Sequence, residues 1–458
     1  MAKQGTVLMT ALPFCHVLYD SERGKRCDEC FELRPDQLKR CVSCKFVSYC
    51  NKTCQQKDWL DHKKECHHLR RIASVIPIER ARLISRILYK IKRGVIEAEE
   101  WNQFDDYPER TIHHVISHRE LIKQDPDMKK KVATILFETR RFMGKDTPSD
   151  DDILNIYGKL IMNAFVICDE INHPIYVGCG MYIGPCIMDH SCCPNAIITF
   201  SGIRMNVRAG TDIAVNNHNH AFISYVDLLA PRQERRAQLQ PDYYFFCECT
   251  RCLDDSIDEL MLSTKCPNNN CEGVIIKKDG EFQPCETCGA ASFSSIYATL
   301  AAETAQWSAA TFQRLQRCEQ DGRDPAEILA QCEECLRGQD EVLHPVWNVH
   351  RIRLMDLAAM GHMRLEQWAQ AAQCILVTLP AKRKYFPANH PNLSLQLFSV
   401  GKALIYAGRC DDALPHLHEA LDMISATHGN EHPLVEQVEQ LLTECKSEIK
   451  KKAAATTN

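Results

Sequence analysis

A chain of 458 residues is too long for one ordinary domain and predicts two to four packed units. Its 45% hydrophobic and 25% charged residues, with 20 prolines and 19 glycines, exclude a collagen, a disordered tail protein and a coiled-coil rod. The net charge of -5 supplies no global attraction for nucleic acid, and cysteine, at 26 copies, is the outlier.

The opening MAKQGTVLMTALPFCHVLYD holds a proline and lacks the basic region and cleavage site of a signal peptide. No stretch approaches the roughly 18 apolar residues of a membrane span, so the expected setting is cytoplasm and nucleus, with no membrane contact. Thiols stay free in such reducing compartments, and thiolates at paired spacing then predict zinc. Seven cysteines fall in 27–66 and nine in 192–288, Cys193 among them, whereas 67–165 has none.

The first cluster is Cys27-x2-Cys30-x10-Cys41-x2-Cys44-x5-Cys50-x3-Cys54-x7-His62-x3-Cys66, eight ligands that suffice for two tetrahedral zinc ions. So short a segment buries too little core to fold alone, and each structural zinc contributes on the order of 10 kcal/mol. Protein fills every coordination position, which predicts structural ions. A RING finger, and with it a ubiquitin ligase, is the nearest rival, but the closing cysteine and histidine order does not fit one.

Downstream, Ile84, Ile87, Leu88 and Ile91 recur at helical spacing in 78–93. Eleven Lys or Arg face four Asp or Glu across 57–93. A solvated helix face and a dock for an acidic partner such as nucleosomal DNA both fit that surplus. The run LIMNAFVI, holding Phe165, reads as an apolar helix. From 171 to 230, short segments divided by Gly, Pro and Asn predict a β-rich unit, with FISYVDLL as one strand and NNHNHAF as a solvated loop.

Cys247-x-Cys249-x2-Cys252 is one ligand short of a tetrahedron and requires a distant fourth. Cys266-x4-Cys271-x13-Cys285-x2-Cys288 reads as a zinc ribbon, with free buried cysteines as the alternative. Cys332 and Cys335 lie in a helical stretch and read as helix core. After 293 long helices dominate: Gly401, Leu404, Gly408, Ala413, Leu417 and Ala420 match the tetratricopeptide offsets, and a looser pair spans 350–375 with Gly361 at its turn. This array is expected to pack on the rest of the chain. The tail KKAAATTN reads as disordered.

Nucleophile elbow, phosphate loop and H-E-x-x-H motifs are absent from the sequence. What remains is Asp189-His190-Ser191-Cys192-Cys193-Pro194-Asn195, Ile223-Ser224-Tyr225, and Tyr243-Tyr244-Phe245-Phe246-Cys247. These resemble the N-H-S-C-x-P-N motif, the strand ending in S-Y and the aromatic run into the zinc site of a SET domain. The first cluster, with KDW before its closing H-x3-C, resembles a MYND finger. The layout, with PRQERRAQL at 231–239, resembles the SET and MYND domain protein-lysine methyltransferases over most of the chain.

The resemblance implies an α+β fold: the N-terminal part of the SET domain at 1–26, finger at 27–66, helical insert at 67–170, SET core at 171–230 and post-SET zinc segment at 231–255. A ribbon at 262–292 and a tetratricopeptide-like domain at 293–450 follow. It further implies that Cys27, Cys30, Cys50 and Cys54 hold one zinc, that Cys41, Cys44, His62 and Cys66 hold another, and that Cys192 joins Cys247, Cys249 and Cys252. Asn163, Asp189, His190, Tyr225 and Phe245 would bind S-adenosylmethionine, and Tyr225, Tyr243 and Phe165 would line the lysine channel. The expected substrate is a histone tail or another protein, with proline-containing peptides on the finger and a monomeric chain.

Chemistry agrees with that reading. A neutral amine must attack the methyl carbon of a sulfonium in line, so an apolar channel that desolvates the ammonium and orients the amine suffices. Three departures accompany the resemblance: NNHNHAF at 216–222 looks like an insertion before the S-Y strand, Asp189 stands where the family has Asn, and the N-terminus lacks the G-x-G-L strand, only Gly5 being available. The last two motivate the alternative of a silent adaptor that binds partner peptides.

Overall fold

The fold follows from two kinds of pattern, alternation of apolar residues in the first half of the chain and helical spacing in the second. In a computed structural model that describes residues 1–72, 75–169, 171 and 175–456, the chain forms two compact units. The first is Met1–Asp189 with Asn195–Ile223; the second is His190–Pro194 with the chain from Ser224 onward. The expected 171–230 core is therefore divided, because the DHSCCPN motif breaks after Asp189.

Two antiparallel sheets organise the first unit. One has the order Glu100–Asn102, Val7–Ala11, Arg204–Ala209, Ala196–Ser201; the other has Cys15–Leu18, Ile175–Met181, Ala164–Asp169. Met205, Val207 and Ala209 are buried and the residues between them are not, the alternation that makes this segment a half-buried strand. The 67–170 segment is mostly helical, as expected, but supplies the strands Glu100–Asn102 and Ala164–Asp169 as well.

Phe165 departs from expectation. Helix Asp150–Asn163, capped by the Ser149 hydroxyl, ends at Asn163, and Phe165 pairs with Gly180 in strand Ala164–Asp169. The run LIMNAFVI carries no Gly or Pro stop, so sequence extends the helix too far. What wins is a tertiary strand partner made by Gly178 and Gly180: a Cβ at Gly178 would lie 2.4 Å from the Val17 carbonyl oxygen, so glycine permits the approach.

The predicted helix at 78–93 is Glu79–Lys92, with Ile84 and Ile87 fully buried. Its charge is not a solvated basic face. Arg82 and Arg86 are buried on Glu65, Arg86 also bonds Asp58, and Lys90 and Arg93 bond Asp61. Lys57, Lys63, Lys64 and Arg70 of the finger helix Lys52–Arg71 remain exposed. In the 216–222 loop, His218 bonds Asp106 through Nδ1 at 3.1 Å and His220 is exposed.

The second unit begins with helix Arg232–Tyr243, a short zinc segment and a small ribbon of two hairpins, and continues into seven helices from Ser295–Gln320 to Pro433–Thr456. The array is more regular than one good and one loose repeat. Its core is continuous with the zinc segment: Cys192, Leu228, Leu239, Cys247 and Cys252 share a cluster with Val349, Ile352, Ile375 and Tyr385. Gly401 lies against Leu417, where an added Cβ would meet Cδ2 at 2.5 Å, which is the close helix approach its spacing predicts. Gly361 is not at the turn. It sits inside helix Val349–Arg364 against Leu329, and the chain turns after Arg364. Cys332 and Cys335 are helix core, as expected.

Two further expectations change. The strand before the S-Y pair is only Phe222–Ile223; Ser224 follows it, its hydroxyl donating to the Val226 carbonyl at 2.7 Å, and the chain bends at Tyr225 and Val226. The tail continues helix Pro433–Thr456 through Thr456, and the last two residues lie outside the described chain. Among the described residues, no helix is long and apolar enough to cross a membrane.

Candidate active site

Four groups of metal-ligating side chains assemble, each with its ligand atoms within 4.8 Å of one another: Cys27, Cys30, Cys50, Cys54; Cys41, Cys44, His62, Cys66; Cys192, Cys247, Cys249, Cys252; and Cys266, Cys271, Cys285, Cys288. A tetrahedral zinc with Zn–S of about 2.3 Å needs sulfurs about 3.8 Å apart. Cys30–Cys50 at 3.7 Å, Cys41–Cys66 at 3.8 Å, Cys192–Cys252 at 3.6 Å and Cys266–Cys288 at 3.6 Å meet that requirement, far beyond disulfide length. All sixteen expected ligands fit zinc, and four protein donors per group would leave a bound ion no open position, which suits a structural ion.

The finger builds its second site with external support. Asn51 caps the finger helix by accepting the Cys54 N–H at 2.8 Å. His62 turns Nε2 toward Cys44 and Nδ1 toward Glu65, whose carboxylate, held by Arg82 and Arg86, stays well below the usual range through those two guanidiniums despite burial. A ligand imidazole anchored through its other nitrogen is fixed in tautomer and orientation.

The third group carries the aromatic site. Helix Arg232–Tyr243 ends with Tyr244 in the left-handed region at φ 58, which reverses the chain and sends Phe245 back toward Tyr243, ring centroids 6.4 Å apart. Phe246 instead covers the Arg236 guanidinium at 3.8 Å. Tyr225 and Tyr243 touch, centroids 4.8 Å apart and tilted 37°, so no alkyl chain passes between them and any channel runs along the pair. His190 lies 5.3 Å from the Tyr225 ring and 5.9 Å from Phe245. Burial raises the Tyr243 phenol above its ordinary pKa, keeping the hydroxyl protonated, and lowers His190 to about 4.

The remaining expected residues belong to the first unit. The Asn163 amide donates to the Ile116 and Lys159 carbonyls at 2.8 and 2.9 Å, leaving its own oxygen as the atom open to a ligand. Phe165 packs edge-on against Tyr182 at 5.9 Å, and Asp189 is exposed. Sequence reasoning missed Arg235: its side chain is fully buried and it donates to the Ala230 carbonyl at 2.5 Å and the Cys252 sulfur at 3.6 Å. The signal was the PRQERRAQL motif, which carries no hint of which arginine turns inward.

The MYND finger family model matches residues 27–66, which removes the RING alternative. A human histone-lysine N-methyltransferase, SMYD3, is 29% identical over 455 residues, 98% of this chain and 94% of its own. N-lysine methyltransferase SMYD2-A of Xenopus laevis is 27% identical over 96% of this chain and 93% of its own, and human SMYD2 26% over 95% and 92%. The chain is thus similar, over nearly its whole length, to protein-lysine methyltransferases that carry a MYND finger. Given that likeness, the tyrosine pair beside a four-cysteine cluster is the arrangement to explain.

Proposed function

We propose that the chain is a protein-lysine N-methyltransferase that uses S-adenosylmethionine to methylate a histone or another protein. The observation that carries this is the packing of Tyr225, Tyr243, Phe245 and His190 beside the Cys192 cluster, supported by relatives named as methyltransferases over nearly the whole chain. The cofactor supplies an electrophilic methyl group on a sulfonium. The chain's own residues do the rest. Apolar ring surfaces exclude water, so the substrate ammonium loses hydration and releases its proton more readily. Phenol oxygens accept from the amine and leave its lone pair aimed along the attack line. Asn163, Asp189 and Phe165 enter this reading through the resemblance.

The silent adaptor is not favoured, given those relatives. Label transfer from S-adenosylmethionine to histones or cell extract is the test. Transfer by the wild type that falls at least roughly a hundredfold in Tyr225→Phe supports the reading, and no transfer by either overturns it. Proline-containing peptides remain the expected finger ligands, and a monomer in cytoplasm and nucleus the expected state. A polyanion such as duplex DNA would meet the exposed Lys57, Lys63, Lys64 and Arg70, whose companion acids Asp58, Asp61 and Glu65 are all engaged by helix Glu79–Lys92.

A further inference from the structure

The imidazole of His190 is committed on both sides. A backbone N–H can only donate, so the Tyr225 N–H, 3.0 Å from His190 Nδ1, fixes Nδ1 as the acceptor. The ring proton then sits on Nε2, which faces the Cys192 sulfur at 3.3 Å. This assignment follows from donor and acceptor inventory alone. Neither nitrogen is left over for a ligand.

We propose that His190 is a positioning residue that couples the four-cysteine zinc site to the place of Tyr225. A metal-bound thiolate keeps lone pairs, and an N–H aimed at one of them shields it from protonation and displacement, as outer partners of metal ligands do. Zinc, for its part, holds the Cys192 sulfur where Nε2 can reach it. The same ring fixes Tyr225, in the bend just past strand Phe222–Ile223, by taking its N–H. Loading the zinc site thereby orders the backbone that carries a channel tyrosine. Arg235 also touches the cluster, through Cys252, but holds the Ala230 carbonyl and not Tyr225, so it supports the metal without this link.

The catalytic consequence rests on the methyltransferase reading; the link itself does not. Three variants of the full zinc-loaded chain separate its halves: His190→Ala removes both bonds, His190→Gln restores a donor near Nε2, and His190→Asn restores an acceptor near Nδ1. The readouts are zinc release to a chromogenic chelator, with Cys249→Ser identifying the phase of this site, and amide hydrogen exchange over 222–228. His190→Ala should release this zinc at least roughly tenfold faster and lose protection at Tyr225. Gln should recover slow release without protection, and Asn protection without slow release. Should His190→Ala fail to fold, the opposite recoveries of Gln and Asn carry the test. Wild-type release and protection in these variants would overturn the proposal. Methyl transfer is measured alongside: if the wild type transfers none, the function reading falls while release and exchange still decide the link.

Discussion

Arg86 shows how much depends on single buried charges. It bonds Asp58 and Glu65, all three are buried, and Glu65 in turn anchors the zinc ligand His62. Removing one partner of such a network leaves a charge without compensation, so Arg86→Met should cost about 3–5 kcal/mol in thermal or denaturant unfolding. An unchanged melting temperature would contradict the network's role. At this scale spacing made the finger's eight donors, the trio at 247–252 and the four ribbon cysteines legible as metal-binding candidates, because paired thiolates are rigid donors; how the finger's donors divide and that Cys192 joins the trio came only through the resemblance. Arg82, Arg86 and Arg235 were not legible. Their composition reads as solvated charge, and the acids or thiolates that pull them inward lie 17 to 28 residues away.

Helices of the array carry two predictions that concern packing and protonation. Gly401→Ala gains helix propensity of about 1 kcal/mol but drives a methyl into Leu417, an overpacking cost of about 1–3 kcal/mol. The substitution should therefore lower stability in the wild type and raise it in a Leu417→Ala background; the same sign in both would refute the contact. His350, on helix Val349–Arg364, is pushed down to about 4 by burial and by nearby Arg353. The unfolded chain binds its proton near the ordinary value of 6.5, so between about 6.5 and 4 the unfolded state holds more protons, and stability falls as pH falls through that window. Thermal melts followed by circular dichroism should drop from pH 7 to pH 5, less steeply in His350→Gln. Elements were readable where apolar periodicity or flanking turn residues mark them, as at 79–92 and 196–209. Phe165 and Gly361 were misplaced because a helix end and a turn were set there by partners across the fold, a Gly-bearing strand and Leu329, that no local pattern announces.

For the whole molecule, composition announced the metal and little else: the finger and the ribbon have small cores, such as Cys266, Cys271, Ile275 and Cys285, made largely of the ligands themselves, so metal takes the place of hydrophobic burial there. Chelation should therefore melt those segments and leave the long helices of the second unit, most of the helical circular dichroism, in place. The central claim is that Cys192 reaches the trio at 247–252 and so gathers His190, Tyr225 and Tyr243 around one site. Native mass spectrometry of the full chain tests it most directly. The account predicts four zinc ions, one for each of the four ligand groups, in the wild type and three in Cys192→Ala; four in both would contradict it.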